Sequence, residues 1–189
     1  MGHQNHIMPH YVLETNIFTP FPKGNEVVIF GMGCFWGAER LFWGLKGVYT
    51  TAVGYAGGDL ENPTYNEVCT GSTNHTEVVL INYNPAIITF DLLLKMFLEN
   101  HDPTQGNRQG NDVGSQYRSS IYTTTKKQME SSVSQVKKFQ QSLKTEGFGK
   151  ITTEIKERVE FFYAEEYHQQ YLAKNPNGYC GIKGTGVNC

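Results

Sequence analysis

None of the four cysteines, Cys34, Cys69, Cys180 and Cys189, forms a C-x-x-C pair, so the usual structural zinc spacings are missing and no metal is expected. No uninterrupted apolar run approaches the ~20 residues that cross a bilayer, which argues against a membrane-integral protein. The 16 Lys and Arg are scattered among 18 Asp and Glu without a basic run or stripe, so nucleic acid is not an expected partner. The first 25 residues hold no apolar core of a secretory signal, and His6 occupies the position where a myristoylation motif at Gly2 needs Ser or Thr. Residues 1–25 are expected to form a loosely held arm, and the protein to be a cytoplasmic monomer. A chain of 189 residues suits one domain that buries roughly 70% of its unfolded surface. It needs no disulfide to fold, which leaves cysteine free for chemistry.

Val27 to Phe30 is a short apolar run suited to a buried strand, broken by Gly31 and Gly33. A helix follows, with Ala38, Leu41, Phe42 and Leu45 at the i, i+3, i+4, i+7 spacing of an inward stripe. Cys34 lies at the edge of that stripe and Trp36 points away from it. Val48 to Tyr55 predicts a strand, and "YAGGDLENPTYNE" a long polar loop of the length that often carries function. Thr76 to Tyr83 alternates so that Glu77 shares a face with Val79, Ile81 and Tyr83. Phe90, Leu93, Leu94, Phe97 and Leu98 mark a second helix, followed by an irregular stretch and a strand from Ser119 to Tyr122. Thr125-x-x-Gln128 is a capping box opening a helix with Met129, Val133, Val136 and Leu143 inward. Ile151 to Val159 predicts a further strand, and Tyr163 to Leu172 a short helix. The pattern implies a two-layer α+β sandwich, with one catalytic domain over 26–174 and a mobile, irregular glycine-rich tail over 175–189.

The ordinary reading of a lone cysteine is a small buried hydrophobe, and Cys69 in "NEVC" is expected to be one. Cys34 stands where the helix begins. Free backbone N–H groups and the helix dipole favour an anion there, so its pKa is expected to fall toward neutrality, making it a candidate nucleophile. The flanking glycines admit close approach, and Phe35 and Trp36 add an aromatic surface that the core stripe does not use. Cys180 and Cys189 lie among glycines, where a thiol can travel to an oxidised partner; the alternative is an idle tail.

"GCFWGAE" at 33–39, "GYAGG" at 54–58, "NPTYNEVCTG" at 62–71, "HTEVV" at 75–79, "HDPTQGNRQGNDVGSQYRSSIY" at 101–122 and "GYCGIKGTGVNC" at 178–189 closely resemble the type A peptide methionine sulfoxide reductases. The resemblance runs in order from about Val27 to Cys189. It implies a ferredoxin-like α+β sandwich. It implies that Cys34 attacks the sulfoxide sulfur and becomes a sulfenic acid, with Phe35 and Trp36 enclosing the substrate methyl group. Glu77 resembles the proton donor, and Tyr65, Asp112 and Tyr117 the polar end around the sulfoxide oxygen. Cys180 resembles the resolving cysteine, and Cys189 a second one that hands the disulfide to thioredoxin. The implied substrate is the S epimer of methionine sulfoxide, in proteins and free, with no cofactor and a role in repairing oxidative damage. The family's usual Gly-His-Ala-Glu is here Asn74-His75-Thr76-Glu77, and Asn tolerates a left-handed backbone better than most residues.

A sulfoxide oxygen leaves poorly unless protonated, so such a site wants an acid and hydrogen-bond donors. Burial on an apolar face would raise the Glu77 pKa and let it hold a proton at neutral pH. Two other enzyme classes use a reactive cysteine. A thiol peroxidase needs no acid on an aromatic-walled pocket, and a cysteine hydrolase needs a base such as His75, His101 or His168 beside Cys34. A binding module would be indifferent to alkylation of Cys34.

Overall fold

The structure, a computed structural model, describes residues 8–189. Its elements are β1 (Glu26–Met32), α1 (Phe35–Trp43), β2 (Val48–Ala56), α2 (Tyr65–Cys69), β3 (Thr76–Tyr83), α3 (Phe90–Glu99), β4 (Arg108–Gln109), β5 (Asp112–Val113), β6 (Ser119–Thr123), α4 (Lys126–Thr145), β7 (Glu154–Glu157), β8 (Phe161–Tyr163) and α5 (Tyr171–Lys174), with 3-10 turns at Ser115–Tyr117 and Glu166–His168. The six-stranded sheet runs β7-β6-β1-β3-β2-β8, and β4 and β5 form a separate ribbon. All neighbours are antiparallel except β6 and β7, so the sheet is mixed and the class is α+β. No helix among the described residues is long and apolar enough to cross a membrane.

β3 sits at the centre and is buried along its whole length, because both faces of the sheet are covered. Val79, Ile81 and Tyr83 face the helices, meeting Phe42 of α1, Leu94 and Phe97 of α3, and Phe139 of α4. Val78 and Leu80 face the opposite way, with Ile29, Ala56 and Tyr122, under a cover that includes Phe21 and Phe161. Alternation along the strand thus divides two cores, as expected from its period of two. The same alternation turns Glu77 toward the start of α1, where Phe35 N–H meets it.

The structure departs from the sequence pattern in five places. Residues 8–25 are not loose: Ile17 and His10 are buried, and His10 Nε2 lies 2.8 Å from Thr51 Oγ1. A polar contact to a strand far along the chain leaves no local periodicity to read. The part of the expected arm before residue 8 lies outside the described residues. On α4 the inward positions are Gln128, Ser132, Phe139 and Leu143, with Val136 against them, whereas Val133 is exposed. Stepping by four and three from Gln128 defines a face to which Val133 does not belong. Cys69 is exposed at the end of α2, a helix inside the supposed loop that a Thr64–Glu67 capping box opens. The predicted helix over 163–172 is split into the end of β8, a 3-10 turn and α5, since Gln170 adopts a left-handed φ of +49°. The predicted strand over 151–159 is ordered only as Glu154–Glu157, where β6 is there to pair with it.

Candidate active site

β1 delivers the chain to Gly33, whose φ of +88° turns it into α1. A Cβ at that glycine would lie 2.7 Å from the Gln109 side chain, so conformation and space both require its absence. Cys34 is the N-cap residue of α1 and is half-buried. The next backbone N–H, of Phe35, donates to Glu77 Oε2 at 3.1 Å. Glu77 is 1% exposed, and burial, assisted by the charge of Asp112 and opposed by the Phe35 N–H, pushes its carboxyl up to about 8. It therefore holds a proton at neutral pH, as its place on an apolar face predicts.

Cys34 does not follow the expected shift. Burial, then the Glu77 charge, drives its thiol well above the ordinary cysteine range, with only the Trp36 N–H pulling the other way. The helix terminus still acts on it through the Trp36 N–H, but burial outweighs that pull, and the first N–H of the helix goes to Glu77 instead. At neutral pH Cys34 is thus a thiol beside a neutral carboxyl.

The remaining polar candidates come from three separate segments. Tyr65 opens α2, Tyr117 closes the 3-10 turn, and Asp112 lies on β5. Both phenols are held well above the ordinary tyrosine range by burial, and the Glu77 charge adds to the shift in each. They are O–H donors at neutral pH, which suits an acceptor oxygen. Asp112 Oδ2 accepts a hydrogen bond from Tyr179 in the tail at 3.0 Å. Asn74 has a φ of +58°, and its side-chain amide donates to Asp59, so the turn before Glu77 survives without glycine.

Phe35 is fully buried against Tyr55, whereas Trp36 is half-buried, stacked on Tyr171 with ring centroids 3.8 Å apart. Trp36 Nε1 donates to His168 Nδ1 at 3.0 Å. The sequence pattern did not assign Tyr171 or His168 to the Trp36 ring, since they lie over a hundred residues away and no short motif joins them. None of the three histidines considered as a base is hydrogen-bonded to Cys34: His75 bonds Gly58 and Leu60, His101 bonds Phe97 and Ser119, and His168 takes Trp36. The hydrolase alternative loses its base.

The tail has no regular secondary structure, yet Ile182 and Val187 pack on the main core. Cys180 comes to α1 one turn beyond Cys34: a Cβ on Gly37 would lie 2.9 Å from Cys180 Sγ and 2.6 Å from Ile182. Cys189 is parked elsewhere, its backbone N–H donating to Glu99 Oε1 at 2.7 Å on α3. All four thiols are free.

Residues 26–187 match the family described as peptide methionine sulfoxide reductase. The mitochondrial peptide methionine sulfoxide reductase of Homo sapiens is 60% identical over 180 residues, covering 95% of this chain and 77% of its own. Among solved structures, methionine sulfoxide reductase A of Corynebacterium diphtheriae superposes with a TM-score of 0.87 at 49% identity, covering 97% of this chain and 89% of that one. Mxr1 of Saccharomyces cerevisiae in complex with Trx2 shares the fold at a TM-score of 0.59 and 22% identity, over 91% and 98% of the two chains.

Proposed function

Because this chain belongs to the peptide methionine sulfoxide reductase family and is an oxidoreductase acting on methionine sulfoxide, we propose that Cys34 is its nucleophile and Glu77 its proton donor. Cys34 Sγ attacks the sulfoxide sulfur while Glu77 protonates the departing oxygen. The protonated oxygen then moves from the methionine sulfur to Cys34 as the new S–S bond breaks, leaving a sulfenic acid and methionine, so the cysteine sulfur loses two electrons and the methionine sulfur gains them. The thiol proton replaces the one Glu77 gave. Tyr65, Tyr117 and Asp112 form the polar end, and Phe35 and Trp36 the methyl pocket. The observation that supports this most is the 3.1 Å bond from Phe35 N–H to Glu77, which sets next to Cys34 a carboxyl that burial keeps protonated.

Cys180 then attacks the sulfenic acid, expelling water and forming the Cys34–Cys180 disulfide. Thiol-disulfide exchange moves that bridge to Cys180–Cys189, where thioredoxin reduces it. The substrate is the S epimer, in proteins and free. In the same proposal the β1-α1-β2 and β3-α3-β6 units form a ferredoxin-like core, supported by the order β6-β1-β3-β2, and the working enzyme is a cytoplasmic monomer. A stereodefined assay with a thioredoxin system tests the function: the S sulfoxide should be consumed and the R sulfoxide persist. Rapid turnover of hydrogen peroxide with neither sulfoxide reduced would favour a thiol peroxidase instead.

Two results are expected from single changes. Trp36→Ala should lower kcat/KM by ~2 to 4 kcal/mol in transition-state terms while unfolding stays cooperative. Unchanged turnover with a large loss of thermal stability would remove Trp36 from the pocket. Gly37→Ala puts a methyl group where Cys180 Sγ and Ile182 now sit. The first methionine should still form at the normal rate, whereas steady-state recycling slows by about tenfold, equivalent to about 1.4 kcal/mol. Burst kinetics against steady-state turnover separates the two.

A further inference from the structure

We propose that His168 is a positioning residue for this reaction: its Nδ1 fixes the Trp36 indole edge so that the exposed part of the ring is presented to the substrate. The proposal rests on the assignment of Trp36 to the methyl pocket. The indole is held at two places beyond its own helix. One face lies on Tyr171, at 3.8 Å between centroids and 12° between planes, and the N–H edge donates to His168 Nδ1 at 3.0 Å. An indole N–H can only donate, so Nδ1 must be the bare nitrogen and the imidazole proton must sit on Nε2.

That second nitrogen is buried without a hydrogen-bond partner among the described residues, in a ring 1% exposed. Phe35, Tyr65 and Tyr167 surround it, at centroid distances of 5.1, 4.5 and 4.0 Å. Buried polar groups are ordinarily satisfied, so a histidine walled in by rings is expected to have a use for the bond it does make. Here the ring makes one such bond, and it goes to Trp36. Burial also lowers its pKa to about 4, against a smaller opposing effect of Glu165, so the acceptor persists at neutral pH.

The backbone carrying His168 is fastened on both sides. Gln169 mimics a strand neighbour of β2: its Oε1 accepts from Val53 N–H and its Nε2 donates to Val53 O, both at 2.8 Å. Glu165 accepts from the Tyr55 hydroxyl at 2.9 Å and from Tyr65 N–H at 3.1 Å. Gln170 donates through its backbone and its side chain to the Glu39 carboxylate, at 2.8 and 2.7 Å. Glu39 lies on α1, the helix that carries Trp36 and begins at Cys34. The indole and its acceptor are thus mounted on one braced unit, and an indole so held keeps its place when substrate arrives.

Kinetics with the S sulfoxide, together with the indole N–H resonances of the two tryptophans, test the role. His168→Leu should raise KM by about tenfold and change kcat by less than about threefold, since the lost positioning affects ground and transition states alike. The Trp36 indole resonance should shift in the same variant. His168→Asn, whose Oδ1 can take the place of Nδ1, should restore most of the KM and the resonance. If Trp36→Ala leaves both kinetic constants unchanged, the methyl pocket itself is wrong. If Trp36→Ala is damaging but His168→Leu keeps the wild-type KM, or keeps the indole resonance in place, the pocket stands and the positioning role is overturned. Should His168→Leu fail to fold, His168→Asn decides: wild-type KM with a hydrogen-bonded indole supports the role, and a tenfold KM with that bond retained overturns it.

Discussion

Cys34→Ser is expected to release no methionine from the S sulfoxide, in a single turnover or with any reductant. A hydroxyl has neither the nucleophilicity of a thiol nor a stable oxidised state to receive the oxygen, so the loss should be total. The half-buried position of Cys34 at the N-cap predicts that the fold tolerates this change, because the side chain makes no capping hydrogen bond. Chromatographic detection of methionine after mixing with excess enzyme checks the result. Any burst from the serine variant would transfer the nucleophile to another cysteine, of which Cys69 and Cys180 lie near the same polar cluster.

Glu77→Gln is expected to slow sulfoxide reduction by roughly 10²- to 10⁴-fold, the usual worth of a positioned general acid. Alkylation of Cys34 should continue, because the proton concerns the departing oxygen. The wild-type rate should fall as pH rises through about 8, where Glu77 gives up its proton, and the glutamine variant should lack that limb. Stability carries the same signature. Glu77 ionises near the ordinary carboxyl value of 4.5 in the unfolded chain and at about 8 in the folded one. Its contribution is fully present below the lower value, declines as pH rises between the two, and is lost above the upper one. Glu39, raised to about 7 by burial, acts in the same direction. Denaturant unfolding at pH 5 and pH 8 should therefore show Glu77→Gln losing less stability with pH than the wild type. A full-rate variant would place the acid elsewhere.

Much of this arrangement is legible in the residues themselves. β1, the start of α1, β3 and α3 announce themselves because their apolar spacing is set by burial against one another. The alternation of β3 also places Glu77 on an apolar face, and the structure finds the acid there. What the pattern misses are contacts that no period encodes. His10 reaching Thr51, Gln169 copying a strand and His168 meeting Trp36 each join distant segments through side-chain polarity. Val133 reads as inward because it is apolar, but the face of α4 is chosen by Phe139 and Leu143, and Gln128 and Ser132 follow them inside. The lowered thiol pKa expected at Cys34 fails for a comparable reason: burial of the sulfur and the neighbouring Glu77, visible only once β3 is packed beside α1, outweigh the pull of the helix N–H.

In the proposed reaction oxygen passes from the substrate to Cys34 and is removed there by Cys180. This is tested most directly by mixing Cys180→Ser with the S sulfoxide in the absence of reductant, quantifying methionine and mapping the modified peptides by mass. A single equivalent of methionine per enzyme is expected, with a Cys34 peptide heavier by one oxygen and trappable as a sulfenic acid. Methionine released with Cys34 unmodified, or the oxygen found on Cys69, would contradict it.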